Sequence, residues 1–294
     1  MTLPDKYLLI DVGGTFLKGA AGDSSGNIIP ESLRTVPVDS NGPAGEILDS
    51  FRRIVEDVSA AAGGSFSAVG MTFPGPFDYN RGVSLMTHKF AALKDLDMGA
   101  LVKAIPGVGD VPVRFVHDVT CVVTGELRLG AARGLKNIAV VTLGTGLGFA
   151  YSKDGVVQKD SLGSPSSSLW NVPFRGGILE DRISKRGIMG RYAELSGKEG
   201  VSVKEIADAA KVGDAVAAEV FRETGEILGG VLGPIARDNS LEAILFGGQI
   251  SRSFGLISGS LREAAGPCPS LGRIANVSDI DNAAFRGILS EILD

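Results

Sequence analysis

Short apolar runs rich in valine and isoleucine alternate along this chain with longer stretches of helical period. Residues 7–12, 68–73, 113–117, 138–143 and 243–246 are nearly continuous in apolar side chains, as strands buried on both faces are. Between them, Ile47, Phe51, Ile54, Val55 and Val58 fall on one face of a helix over residues 44–62. Val216, Val220, Phe221, Ile227, Leu228, Val231 and Leu232 repeat that spacing over 214–237. Phe285, Ile288, Leu289 and Ile292 do so at the C-terminal end, where Asp281 is the expected N-cap. Strands alternating with helices predict an α/β protein. Residues 160–177 break the pattern with Ser161, Ser164, Ser166, Ser167, Ser168, Pro165 and Pro173, and predict a long loop. Such loops are functional or disordered.

The chain has 294 residues, about twice the ~150-residue domain prior, so one large or two medium domains are expected. A domain change is expected just before Val113, where a second strand–turn–helix series starts. Lys plus Arg number 29 against 34 Asp plus Glu, a net charge of -5 that argues against a polyanion-binding surface. Cys121 and Cys268 make no disulfide framework, and with two histidines there is no cluster of zinc-site spacing. No apolar run approaches the ~20 residues that span a bilayer, and the start of the chain, residues 1–6, is polar and short. A cytoplasmic protein with no membrane partner is therefore expected, and the sequon Asn276-Val277-Ser278 carries no weight.

Forty-one glycines are the compositional outlier, and three turns use them. Asp11-Val12-Gly13-Gly14-Thr15 follows a strand, with Lys18 on the next segment. Adjacent glycines leave amide N–H groups unshielded, which suits phosphate oxygens, and the Thr15 hydroxyl adds a donor. Asp11 stands where a carboxylate could hold hydrated Mg²⁺ beside those phosphates. Taken alone, the turn is equally a plain hairpin with a solvated aspartate and lysine. Leu143-Gly144-Thr145-Gly146-Leu147-Gly148 repeats the chemistry half a chain later, and Phe246-Gly247-Gly248-Gln249 ends a third strand. Three such turns together point to a nucleotide gripped between two domains.

Competing motifs fail. Gly197-Lys198 is followed by Glu199 and is no Walker loop, and Gly144–Gly148 falls one residue short of the dinucleotide fingerprint. Gly22-Asp23-Ser24-Ser25-Gly26 matches G-x-S-x-G but sits in a polar turn without a following helix, so it reads as a hairpin tip.

With these residues in place, the chain resembles the sugar kinases of the ROK group, within the actin-like ATPase superfamily. Residues 10–18 look like the first phosphate motif, and Thr142 to Gly148 like the second. Phe73-Pro74-Gly75-Pro76-Phe77-Asp78 is similar to the sugar-side P-G-P segment, and Gly247-Gly248 to the turn beside adenosine. The resemblance implies two ribonuclease-H-like domains with a cleft closing over ATP and sugar. The expected division is a small domain, 1–112, on which the last helix (281–294) packs, and a larger one, 113–280. It implies that Asp118, which opens a helix over 119–129 after an apolar strand, is the catalytic base. The alternative is that Asp118 is merely an N-cap.

The sugar side departs from the family pattern. His117 stands where Asn is usual, His88-Lys89 replaces a Pro-Asn pair, and the cysteine-rich zinc motif is missing, so no structural zinc is expected. Glu180 aligns with the sugar-binding glutamate, and Trp170 with Asn171 could remake the pocket. The expectation is thus an ATP- and Mg²⁺-dependent, glucokinase-like hexose kinase acting on the 6-hydroxyl. Asp118 is its base. Asp11 orients the metal through water. Gly13, Gly14, Thr15, Lys18, Gly144, Thr145, Gly146, Gly247 and Gly248 hold the nucleotide. Pro74, Gly75, Lys89, His117 and Glu180 hold the sugar. Its partners are expected to be sugar, nucleotide and a second copy of the chain in a homodimer. Three other classes compete: a sugar-binding sensor without turnover, a transcriptional repressor, and an actin-like ATPase acting on something else. Against the repressor, the first strand begins at Tyr7, leaving no room for a helix-turn-helix, and the net charge is negative, so no nucleic acid is expected.

Overall fold

The computed structural model describes residues 5–294, so the first four residues of the polar N-terminal stretch lie outside the described residues. The chain forms two compact units. One holds the chain up to Leu129 together with Lys159–Ser166 and Asn282–Asp294; the other holds Gly130–Gln158 and Ser167–Asp281.

The first unit begins with β1 (Lys6–Val12), β2 (Phe16–Asp23), β3 (Ile28–Pro37), α1 (Ala44–Ala62) and β4 (Ala68–Phe73). The short β5 (Phe77–Asp78) and β6 (Val83–Ser84), then α2 (Met98–Lys103), β7 (Val113–His117) and α3 (Asp118–Arg128) follow. Its sheet runs β3-β2-β1-β4-β7, an antiparallel meander extended by two parallel strands. Alternation along β1 sends Leu8, Ile10 and Val12 into the core shared with Phe51, Ile54 and Val58 of α1. Leu9 and Asp11 point to the other face. A Cβ on Gly19 of β2 would lie 2.7 Å from Val58, so glycine there lets α1 lie close on the sheet. Because β7 pairs with β4 in this sheet, the division falls after Leu129 rather than before Val113.

The second unit repeats the plan. Its strands are β8 (Ile138–Leu143), β9 (Leu147–Lys153), β10 (Val156–Val157), β11 (Pro173–Phe174) and β12 (Gly177–Ile178). Next come α4 (Glu180–Ile183), α5 (Lys185–Ser196), α6 (Val203–Lys211), α7 (Ala215–Asp238), β13 (Ala243–Gly247), α8 (Phe254–Ala265) and β14 (Arg273–Asn276). The main sheet runs β10-β9-β8-β13-β14, the same third-second-first-fourth-fifth order as before. Gly225, Gly229 and Gly233 stand one turn apart on α7 and meet the backbone of α8, so the two helices approach more closely than side chains allow.

The last helix, α9 (Ala283–Ile292), returns to the first unit and lies on α3, β4 and β1. A Cβ on Gly125 of α3 would sit 2.8 Å from the Gly287 amide of α9. Its N-cap is Asn282 and not the expected Asp281, whose carboxylate pairs with Arg252 instead. The stretch 160–177 is not a single loop. Asp160 accepts the amides of Leu162 and Ser164 at 2.9 Å each, and the Ser161 and Leu162 carbonyls accept from Asn80 and Tyr79 in the first unit. Its later part folds into the β11–β12 hairpin of the second unit. The Gly22–Gly26 match lies in the β2–β3 turn, closed by Asp23 accepting from Ser25 and Asn27.

Candidate active site

In the first unit the Gly13-Gly14-Thr15 turn joins β1 to β2. The Gly13 amide closes it onto the Phe16 carbonyl at 3.1 Å, and a Cβ on Gly13 would stand 2.9 Å from that oxygen. Among the described residues the Gly14 and Thr15 amides donate to no protein acceptor. The unpaired donors of this turn among the described residues are therefore the amides of the second glycine and the threonine. Asp11 opposes Lys18 across the hairpin and Thr72 on β4. The Thr72 hydroxyl donates to Asp11 Oδ1 at 2.7 Å while accepting the Val12 amide at 3.1 Å, which fixes the carboxylate. Burial raises the Asp11 carboxyl above its ordinary range, against the pull of Thr72 and Lys18.

Asp118 opens α3 directly after β7. His117 is the N-cap residue, so the N-cap alternative belongs to the histidine. Val119 N–H donates to Asp118 Oδ1 at 2.6 Å, and His117 Nδ1 lies 2.8 Å from the same oxygen, a hydrogen bond when that nitrogen carries the proton. The Asp118 side chain keeps 58% of its surface accessible. Desolvation by the surrounding residues pushes its carboxyl up, but the His117 ring, the Val119 amide and Lys89 outweigh that and hold it below the usual carboxylate range. The carboxylate is thus ionised and reachable.

Gly75 approaches the His117 ring and the Tyr79 hydroxyl, each 3.8 Å from where its Cβ would be. Pro74 precedes it, in the turn after β4. Tyr79 donates to the Phe73 carbonyl at 2.7 Å and sets its ring edge-on to His117. Lys89, expected on the sugar side, lies against the phosphate-type turn, its Cδ 3.8 Å from the Cβ position of Gly14. Thr72 and Tyr79 carry no motif in the sequence; only pairing of β1 with β4 and folding of the segment after it bring them in.

In the second unit Gly144, Thr145 and Gly146 join β8 to β9. The Gly144 amide closes this turn onto the Gly146 carbonyl at 3.1 Å, while those of Thr145 and Gly146 meet no protein acceptor among the described residues. Gly247 ends β13 opposite Thr142, and Gly248, at φ 80°, presses onto the Leu143 carbonyl where no side chain fits. The second and third glycine turns therefore lie side by side at one edge of this sheet. Glu180 Oε2 accepts the Leu147 amide at 2.8 Å and its Oε1 meets Arg186 at 2.9 Å, so both oxygens are engaged. Arg186 gave no sign in the sequence. Trp170 is half-exposed, and its carbonyl accepts the Glu180 amide at 3.2 Å. Among the described residues no three of His, Cys, Asp and Glu gather as a metal cluster, and no helix is long and apolar enough to cross a membrane.

The family model of the ROK family matches residues 7–164, more than half the chain. The protein belongs to the ROK family, and its α/β architecture is the actin-like ATPase fold of that family's sugar kinases. The glucokinase of Thermotoga maritima is 26% identical over 282 residues, which cover 88% of this chain and 86% of the relative. The Escherichia coli DNA-binding transcriptional repressor Mlc is 25% identical over 230 residues, covering 69% of this chain and 55% of Mlc. Among solved structures, a ROK family glucokinase from Streptomyces griseus in complex with glucose and AMPPNP superposes with a TM-score of 0.79 at 22% identity, covering 98% of each chain.

Proposed function

We propose that this protein is a carbohydrate kinase that transfers the γ-phosphoryl group of ATP to a hydroxyl of a hexose or hexose derivative, the 6-hydroxyl by preference. The observation that carries the reading is Asp118: an ionised, accessible carboxylate on a helix N-terminus, in the same unit as a turn offering bare amides. Kinship with glucokinases supports the same conclusion.

Phosphoryl transfer demands positioning, charge neutralisation and one acceptor for the hydroxyl proton. Asp118 is that acceptor, taking the proton as the sugar oxygen bonds to the γ-phosphorus and the bond from that phosphorus to the β–γ bridging oxygen breaks, ADP departing with the electron pair. Its low pKa keeps it ionised, and His117 steadies the carboxylate. In the first unit Gly13, Gly14 and Thr15, with Lys18 nearby, are assigned to phosphate, the bare amides as donors; in the second unit Gly144, Thr145 and Gly146 are assigned to phosphate and Gly247 with Gly248 to the nucleotide. Asp11 is the residue that would hold a Mg²⁺ through water, which would supply charge neutralisation at the phosphates. Pro74, Gly75, His117 and Glu180 are assigned to the sugar, and Lys89, which lies beside Gly14, to the phosphate side.

Asp118→Ala tests this directly. Loss of a general base lowers kcat by about 10²–10⁴-fold; near-normal sugar-dependent ADP release by the variant would remove Asp118 from the role. A sugar-binding sensor is the second reading, favoured by the engagement of both Glu180 oxygens and by the likeness to Mlc. Sugar binding without ADP release over a panel of hexoses and amino sugars would select it.

A further inference from the structure

The second unit holds a concavity of ≈ 220 Å³ walled by α4, α5, α7 and the β11–β12 turn. Four arginines reach it, in two different states. Arg191 is neutralised in place, forked on Glu223 through two bonds of 2.7 Å with a third to Glu194 at 3.1 Å. Arg186 is shared between Asp181 at 2.6 Å and Glu180 at 2.9 Å. Arg182 donates to the Arg175 carbonyl at 3.1 Å, and the Arg175 guanidinium lies 5.1 Å from the Phe174 ring centroid. Among the described residues neither Arg175 nor Arg182 meets a carboxylate.

Two backbone features mark the place. Arg175 is held at φ 47°, a left-handed conformation that costs a non-glycine residue energy and persists where the surroundings enforce it, often at ligand sites. Gly190 on α5 leaves its side of the pocket open, with no atom within 4 Å of its Cβ position. A guanidinium with free donors pairs best with a planar or tetrahedral oxyanion, by two parallel bonds. The volume lies below the roughly 300–1,000 Å³ of drug-sized ligand sites, which selects a small molecule over a nucleotide.

We propose that this pocket binds the phosphate group of a small phosphorylated metabolite, with Arg175 and Arg182 as its ligands. Such a ligand reports to Glu180 through Arg186, because an added anion competes with Glu180 for that guanidinium. The coupling rests on the assignment of Glu180 to the sugar; the binding does not.

The test is calorimetric titration of the full chain with hexose 6-phosphate, inorganic phosphate and neutral hexose. Wild type, Arg175→Ala/Arg182→Ala and Glu180→Gln are compared, the arginines being exposed and outside both cores. The expected result is a hexose 6-phosphate binding event that weakens at least tenfold in the double variant, persists in Glu180→Gln and fades with added salt. Equal affinity in wild type and double variant overturns the proposal, as does an absence of binding to wild type at millimolar concentration. Inorganic phosphate binding as tightly as the ester overturns the metabolite as ligand. Failure of the Asp118→Ala assay would leave the arginine-dependent event standing, so the two readings fail separately.

Discussion

Asp11 and Asp118 are two carboxylates whose surroundings push their proton affinities apart. Burial raises the first, while an imidazole, a backbone amide and a lysine lower the second. For Asp118 the sign is clear: a carboxyl held below the usual carboxylate range stays ionised as pH falls, so kcat/KM is expected to carry no acid limb from this residue near neutral pH. His117→Ala removes the main favourable charge partner and moves that limb upward, read from the pH profile of kcat/KM. A profile unchanged by the substitution would mean that His117 does not tune the base. Thr72→Val removes the hydroxyl that serves both the Val12 amide and Asp11. Leaving those groups unpaired costs about 1–3 kcal/mol, measurable as a lower urea midpoint. The sequence makes Asp118 legible because an apolar strand ends there and a helical period begins. Thr72 is invisible in it, since a threonine in an all-buried strand has no pattern until the neighbouring strand is known.

At the scale of elements, two β-hairpins do the same thing. In each, the first glycine amide closes the turn and the next two amides remain free. The spacing of the motifs predicts this chemistry, but the division of labour within each turn depends on where the strands stop pairing. Glycine also governs helix contact. Gly287→Ala drives a methyl into the Cys121 carbonyl of α3 and should destabilise the protein by about 1–3 kcal/mol, the usual range for overpacking. Thermal unfolding checks it, and an unchanged Tm would refute the close packing of α9 on α3. The glycine abundance that marks the composition is thus divided between ligand-type turns and helix crossings, as at Gly225, Gly229 and Gly233. The crossings are not legible in the sequence, because an isolated glycine in a helical period looks the same whatever faces it.

For the whole molecule, the chain uses one topology twice, and each unit buries its own core. Ligands that bind the native state add RT ln(1 + [L]/Kd), about 2.7 kcal/mol at a hundredfold excess over Kd. An ATP analogue and a cognate hexose should therefore each raise Tm, and a panel showing no sugar-dependent shift would count against any sugar-binding role. The sequence by itself determined the five most apolar strands, the helices over 44–62 and 214–237, the glycine turns and the acid that follows β7, but not β2, β3, β9 or β14. These are local signals, carried by periodicity and by backbone freedom at single positions. Tertiary structure alone decided that β7 completes the first sheet, that the serine-rich stretch is divided between two units, and that Arg186 clamps Glu180. Those outcomes depend on pairing between segments far apart in the chain, whose contact energies no short window of residues contains.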